Sequence, residues 1–383
     1  MTIPLFRPAV HGGEEIEAVS RVLTSGWWGQ GPETEAFESE FAAYTGARYA
    51  VAVNSGTMAL KLAARAAGIV DGLVVCPALT FISTALAMHQ LGNRVVFADV
   101  NEDTLCVDWD EVLYKFRNAS AVRQIGTPMP RAVVPVHFGG TVAGVGPLPG
   151  DVKVIEDCAH AAGSFRAGNL GDAACWSFHA VKNLACGDGG MVTTDDEHVA
   201  REVRRMRWVG IDKTTYDRDK NTKAGYGWDY DIRALDGEKA HMNDITAAIG
   251  RVQLRHLDTD NAVRRVIAAT YGSALHDLGW LHTPELKSPS FQLKAQHLYV
   301  VRVPAQDRPR FIQHMVSNEV SAGVHYKPLT HYKDNRGDPL FGPQHRLPVT
   351  EKVQGTLVTL PLFPAMTEAE VEKVIATVRS FPA

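Results

Sequence analysis

Apolar and polar positions divide this chain into short apolar runs and longer segments with a helical period. "ARYAVAV" (residues 47–53) reads as a strand, and "TMALKLAARAAG" after it as a helix closed by Gly68. "LVVCPAL", "RVVFADV", "RAVVPVHF" and "VKVIEDC" are further β-branched runs. Most lack clean alternation, as strands covered on both faces do. Helical segments lie between several of them, among them "FISTALAMHQLG" with its terminal glycine. This alternation predicts a largely parallel sheet wrapped by helices. Residues 212–227 read as a polar loop. A long helical pattern starts near Asn243, a good N-cap, and continues through "DITAAIGRVQLRHLDTDNAVRRVIAATYGSALHDLG". Beyond it the character changes. "QHLYVVRV" reads as a strand, "RPRFIQHMVSNEV" as a helix, and "SAGVHYKPL" as a strand leading into a loop. The last helix opens on the capping-box pattern "TEAE" at Thr367. The predicted fold class is α/β, with a large domain over residues 1–245 and a smaller α+β domain over 246–383.

Composition narrows the function classes. At 383 residues the chain is long enough for two domains, and 45% hydrophobic with 21% charged residues is ordinary for a globular enzyme. The net charge is −4 with both signs interspersed, which argues against a nucleic-acid partner, and the basic run "REVRRMRWVG" reads as the solvated side of a helix. Five cysteines, an odd number without a Cys-x-x-Cys pair, predict reduced thiols and a cytoplasmic setting. No apolar run reaches the length of a membrane span, and "MTIPLFRPAV" lacks the plan of a secretory signal. The fifteen histidines show no helical metal spacing, so no metal site is expected. "GGTVAGVG" fits neither the dinucleotide nor the Walker pattern.

The candidate chemistry centres on "WSFHAVKNLACGDGGMVTTDD" (176–196), where Lys182 stands between an apolar strand and a glycine-rich turn. A lysine goes inside only when something pairs with it or uses it. Two other stretches bear on it. In "VNSGTMAL" the turn Ser55-Gly56-Thr57 joins a strand to a helix, which suits a phosphate, though alone it is equally a capped helix. In "VIEDCAHAAGS" Asp157 ends an apolar strand, where ligands of parallel sheets bind, though such an acid is equally a helix cap. Together they meet the needs of pyridoxal phosphate. Gly56, Thr57 and Ser177 supply donors for the phosphate, Asp157 a carboxylate for the pyridine nitrogen, and Lys182 the amine that forms a Schiff base.

The motifs "NSGTMAL", "TFISTALA", "VIEDCAHAAGS", "SFHAVKN…GDGGMV", "MNDITAAIG", "GVHYKPL" and "LPLFP" follow one another as they do in the DegT-like sugar aminotransferases, which this chain resembles over nearly its whole length. That family comprises fold type I pyridoxal phosphate enzymes that aminate nucleotide-linked keto sugars. The resemblance implies catalytic roles for Lys182 and Asp157, and cofactor contacts from Gly56, Thr57 and Ser177. It places His160 beside the cofactor ring and Phe81 stacked on its face. Lys239 falls where relatives reach the phosphate of the neighbouring subunit, implying a homodimer with shared active sites. His325 and Tyr326 match a substrate-side loop, and Trp27 and Trp28 lie in a loop that approaches the active site in relatives. On sequence grounds Phe81 reads equally as a core residue, while packing roles are the alternative for His160, His325 and Tyr326, and an interface patch for the two tryptophans.

The implied reaction moves an amino group from an amino acid, glutamate by resemblance, to pyridoxal phosphate, giving pyridoxamine phosphate, and then to the keto sugar. "PALTFISTA" resembles the enzymes that act at C-4. Lys182 argues against the family's dehydratases, which carry histidine there. Aminotransfer to a cyclitol or carbocyclic ketone is an alternative, as is a non-catalytic cofactor-binding regulator. Two departures stand out. The segment between "PVHFGG" and "VKVIEDC" is too short for the usual helix and predicts an abbreviated crossover over 139–151. "DIRALDGEKAHMNDI" carries more charge than is usual around Lys239.

Overall fold

The computed structural model describes residues 2–118, 130–213, 216, 230–233, 235–284 and 289–383. Most of the loop expected at 212–227 lies outside them. Seven strands form the main sheet: β1 (Tyr49–Val53), β2 (Leu73–Pro77), β3 (Arg94–Ala98), β4 (Pro130–Val133), β5 (Lys153–Asp157), β6 (Ala173–Ser177) and β7 (Gly190–Thr194). Their order is β1-β7-β6-β5-β4-β2-β3. Only β7 runs against its neighbours, so the sheet is largely parallel as the alternation predicts.

Burial explains why these strands read as continuous apolar runs. On β1, Val51 and Val53 face a core built on the helix Gly56–Ala66, while Ala50 and Ala52 face Phe37, Phe41 and Trp176 on the other side. Both faces are covered, so no position is left for a polar residue. Phe37 and Phe41, on the helix Pro32–Thr45, are wholly buried and contribute about 1.5–3 kcal/mol each by the usual transfer scale.

Helix ends follow the sequence signals. Ser55 caps Gly56–Ala66 by accepting from the Met58 N–H, Asn243 caps the long helix Asp244–Leu275 through Thr246, and Thr367 forms the expected capping box. Two caps come from far along the chain. Asp244 accepts from the N–H groups of Gly31, Glu33 and Thr34, closing the start of the helix Pro32–Thr45. Asp99, just past β3, does the same for Val349 and Thr350 on the helix Pro348–Gln354.

A second core surrounds β8 (Tyr299–Arg302) and its antiparallel neighbour β9 (Leu357–Leu360), with the helices Arg308–Ser317 and Glu368–Arg379 and the end of the long helix. Ile3 belongs to this core, bridging Val320 in parallel.

Two readings change, and the abbreviated crossover is as expected. "SAGVHYKPL" is not a strand: it makes one bridge, Gly323 to Thr359, after which His325 and Tyr326 are held by side-chain bonds. Pro328, without an N–H, could not donate to a ladder in any case. Arg207, read as part of a solvated face, is buried, paired with Glu38 and donating to the Ala52 carbonyl at 2.7 Å. The crossover before β5 contains no helix beyond the single turn Phe138–Gly140. Trp109 covers it instead, donating from Nε1 to the Ala143 carbonyl at 2.9 Å, while Leu148 and Val152 fill the space below.

Candidate active site

The cleft lies at the carboxyl edge of the parallel strands. Val53 and Ser177, the last residues of β1 and β6, flank Gly190, the first of β7, and Asp157 ends β5. Because β7 reverses, β6 and β7 are joined by a tight loop, 178–189. It is held by Phe178 N–H to the Gly189 carbonyl (2.9 Å), Ala180 to Gly187 (2.8 Å) and Cys186 to Phe178 (2.9 Å). Lys182 sits on this loop.

Close backbone packing shapes the floor. A Cβ on Gly190 would lie 2.5 Å from the Ser55 carbonyl, and one on Gly56 would lie 2.8 Å from the Ser177 Cβ. Two glycines therefore let the Ser55–Thr57 turn rest directly on Ser177. The result is a helix N-terminus with hydroxyls around it: Thr57 Oγ1 lies 2.8 Å from Ser83 Oγ.

Asp157 is buried, accepting from Thr84 Oγ1 at 2.7 Å and from the Ala159 N–H at 3.1 Å. Burial holds its carboxyl above the usual range despite these bonds and the Lys182 charge. Lys182 is half-buried, and loss of hydration pulls its amine down to about 8, with Asp157 acting in the opposite direction.

His160 is buried and kept neutral, first by burial and then by the Lys182 charge. The Gly139 N–H donates to its Nδ1 at 3.3 Å, so the ring proton sits on Nε2 and is donated to Tyr326 Oη at 2.9 Å. That leaves the phenol's own proton for a partner in the cleft. Burial raises the phenol's pKa, so it keeps that proton. His325 bonds Thr359 Oγ1 through Nδ1 at 2.8 Å, and burial brings it down to about 4.

The structure thus brings Gly56, Thr57, Phe81, Asp157, His160, Ser177, Lys182, His325 and Tyr326 to one cleft of about 340 Å³, within the range of small-molecule sites. Phe81 is 57% exposed at its wall, its ring 6.3 Å from that of Tyr326. Lys239, Trp27 and Trp28 are not there. They line a separate pocket with Trp208 and His241, where the Lys239 amine lies 3.4 Å over the Trp208 ring.

Sequence reasoning missed Thr84, although "TFISTALA" contains it, as well as Ser83 and Asp188, which also line the cleft. Behind β5, His137, Glu156 and Cys158 cluster in the core. Glu156 already accepts from His137 and from the N–H groups of Gly168, Leu170 and Gly171, so it pins that loop. Burial raises its pKa, but these bonds outweigh it and hold the carboxyl below the usual value.

Pyridoxal phosphate needs an anion cradle, a dry carboxylate and a primary amine, and this cleft holds one of each. The profile of the DegT/DnrJ/EryC1/StrS aminotransferase family matches residues 10–379. The chain is 35% identical to the spore coat polysaccharide biosynthesis protein SpsC of Bacillus subtilis, over 98% of this chain and 96% of that one. Its fold superposes on the aminotransferase TlmJ of Streptoalloteichus hindustanus with a TM-score of 0.84, at 31% identity and covering 99% and 98% of the two chains. Spr1654 of Streptococcus pneumoniae, solved in PMP and PLP forms, gives a TM-score of 0.83 at 25% identity, covering 99% of this chain and 97% and 98% of the two forms. The chain therefore belongs to the DegT/DnrJ/EryC1/StrS aminotransferase family, and it is a pyridoxal phosphate-dependent transaminase of fold type I.

Proposed function

We propose that this transaminase transfers the amino group of glutamate to a nucleotide-linked keto sugar, at C-4. The observation that carries this reading is the meeting of Lys182, Asp157 and the Ser55–Thr57 turn in one cleft of a chain whose relatives are sugar aminotransferases. The kinship with a protein of spore coat polysaccharide biosynthesis supports a saccharide acceptor. Five free, buried thiols fit a cytoplasmic setting.

In this reading residues 1–245 hold the cofactor, and residues 246–383 close over it with His325 and Tyr326. Gly56, Thr57 and Ser177 bind the phosphate, Phe81 and His160 flank the ring, and Asp157 keeps the ring nitrogen protonated. The bound cofactor supplies an electron sink that acidifies the donor's α-carbon. Lys182 Nζ would anchor the cofactor and, when free, would take the proton from that α-carbon. An amine near 8 is matched to such work at neutral pH. His325 and Tyr326 orient the sugar, the phenol as a donor.

Lys182 is the only lysine or arginine lining the cleft among the described residues, and it is occupied by chemistry. A phosphate dianion is better held with a cation beside it. We assign that cation to Lys239 of a second copy, arriving with Trp27 and Trp28 in a two-fold homodimer.

The test is to load the protein with pyridoxamine phosphate and offer nucleotide-linked 4-keto and 3-keto sugars and a free keto cyclitol. The expected result is conversion to the pyridoxal form and a 4-amino product with the nucleotide-linked 4-keto sugar. Turnover of the cyclitol alone, or of none of these ketones, would overturn the reading.

A further inference from the structure

Asn183 follows Lys182 directly and is buried. Its amide is used on both ends. Nδ2 donates to Asn261 Oδ1 at 2.7 Å and to the Ala295 carbonyl at 2.8 Å, and Oδ1 accepts from His297 Nδ1 at 2.8 Å. The orientation is fixed by its partners. The Ala295 carbonyl can only accept, and Asn261 spends its own Nδ2 on the Ala162 carbonyl at 2.9 Å. His297 in turn must carry its proton on Nδ1.

Three distant parts of the chain meet on this one side chain: the Lys182 loop, the long helix through Asn261, and the approach to β8 through Ala295 and His297. His297 passes the connection on. Its ring centroid lies 4.5 Å from that of His160, and Phe6 stacks on it at 5.8 Å with an interplanar angle of 9°. The titratable and charged groups that face this corner are Asp157 on β5, Lys182 on its loop, His160 after β5, Arg264 on the long helix, and His325.

We propose that Asn183 is a positioning residue for the reaction: its amide ties the backbone at Lys182 to the C-terminal half of the chain and fixes the His297 ring against which His160 lies. This rests on the reading of Lys182 as the lysine that holds the cofactor. The amide has to be neutral and two-ended. A carboxylate there would face the Ala295 carbonyl and draw a proton onto His297, adding a cation beside Lys182 and His160.

Asn183→Ser keeps a hydroxyl but cannot reach all three partners, and Asn261→Ser removes one tether while leaving the loop sequence intact. Each purified holoenzyme is compared with wild type by thermal midpoint, borohydride fixation on the Lys182 peptide, and the pH midpoint of the cofactor's visible absorbance. Retention of pyridoxamine phosphate, which does not engage the lysine amine, is measured by dialysis. With Asn183→Ser, fixation on Lys182 should fall about tenfold or the pH midpoint move by about half a unit or more, while pyridoxamine phosphate retention stays within about threefold. Asn261→Ser should shift the same readouts in the same direction by less, and it carries the test if Asn183→Ser does not fold. Wild-type fixation and midpoint in a folded variant, or parallel loss of both cofactor forms with the thermal midpoint, would overturn the role of Asn183 alone. Fixation of the wild type on a different lysine would overturn the reading of Lys182 and this inference with it.

Discussion

At Asp157 one buried carboxylate is surrounded by donors that stabilise its charge without supplying a cation of their own, Thr84 Oγ1 and the Ala159 N–H. Asp157→Asn keeps the shape and the Thr84 bond but removes the charge that would keep a ring nitrogen protonated. Turnover should fall by about two to four orders of magnitude, the scale of a lost proton-transfer contribution, while the cofactor stays bound through the Ser55–Thr57 turn. Steady-state kinetics with an absorbance check of occupancy measures both, and near-normal turnover would mean that a different group holds that proton. That Lys182, Asp157 and Ser177 would meet in one cleft was legible in the sequence, because Asp157 and Ser177 close apolar runs and Lys182 follows one into a glycine-rich turn. Thr84, Asn183 and His297 were not. Their partners lie far away in sequence, as Asp157 does for Thr84 and His297 for Asn183, and no local pattern encodes such a meeting.

Among the elements, the turn at Ser55–Thr57 and the start of β7 are in contact through bare backbone. Gly190→Ala would press a methyl group against the Ser55 carbonyl and the Gly56 nitrogen, and backbone cannot swing aside as a side chain does. The expected cost is about 1–3 kcal/mol of stability, the usual range for overpacking, with cofactor retained less tightly because the turn is displaced. Thermal unfolding and dialysis of the loaded protein check the two effects. Unchanged retention would show that the turn yields without losing its form. Strands and caps of this kind were read correctly because burial on both faces and N-cap chemistry leave local marks. The segment around His325 was misread, since its alternating residues answer to the cleft and to Thr359 rather than to a neighbouring strand. The crossover before β5 was legible only as a shortage of residues. That Trp109 would take the place of a helix depends on packing between segments that are not adjacent in sequence.

For the whole molecule, the separation of Lys239 from the cleft of its own chain makes subunit sharing testable. Lys182→Ala and Lys239→Ala chains, each inactive alone, are unfolded and refolded together. In the proposed homodimer random pairing would make about half the dimers mixed, each with one site holding both lysines intact, so activity should recover to roughly a quarter of wild type per total site. No recovery would mean that Lys239 serves its own chain, and an active Lys239→Ala protein would remove it from the site altogether. The arrangement of the chain's ends was beyond sequence reasoning, because Ile3 carries no mark of its partner Val320. Its N–H donates to the Glu319 carbonyl at 2.8 Å, its own carbonyl accepts from Ser321 at 3.0 Å, and Phe6 a few residues on lies against His297 and His325. During synthesis, then, the segment that emerges early has nowhere to settle until some of the latest-made residues arrive. The small core is closed by a strap that must wait on the ribosome, and the packing behind the cleft, where Phe6 meets His297 and His325, is completed only when that strap returns.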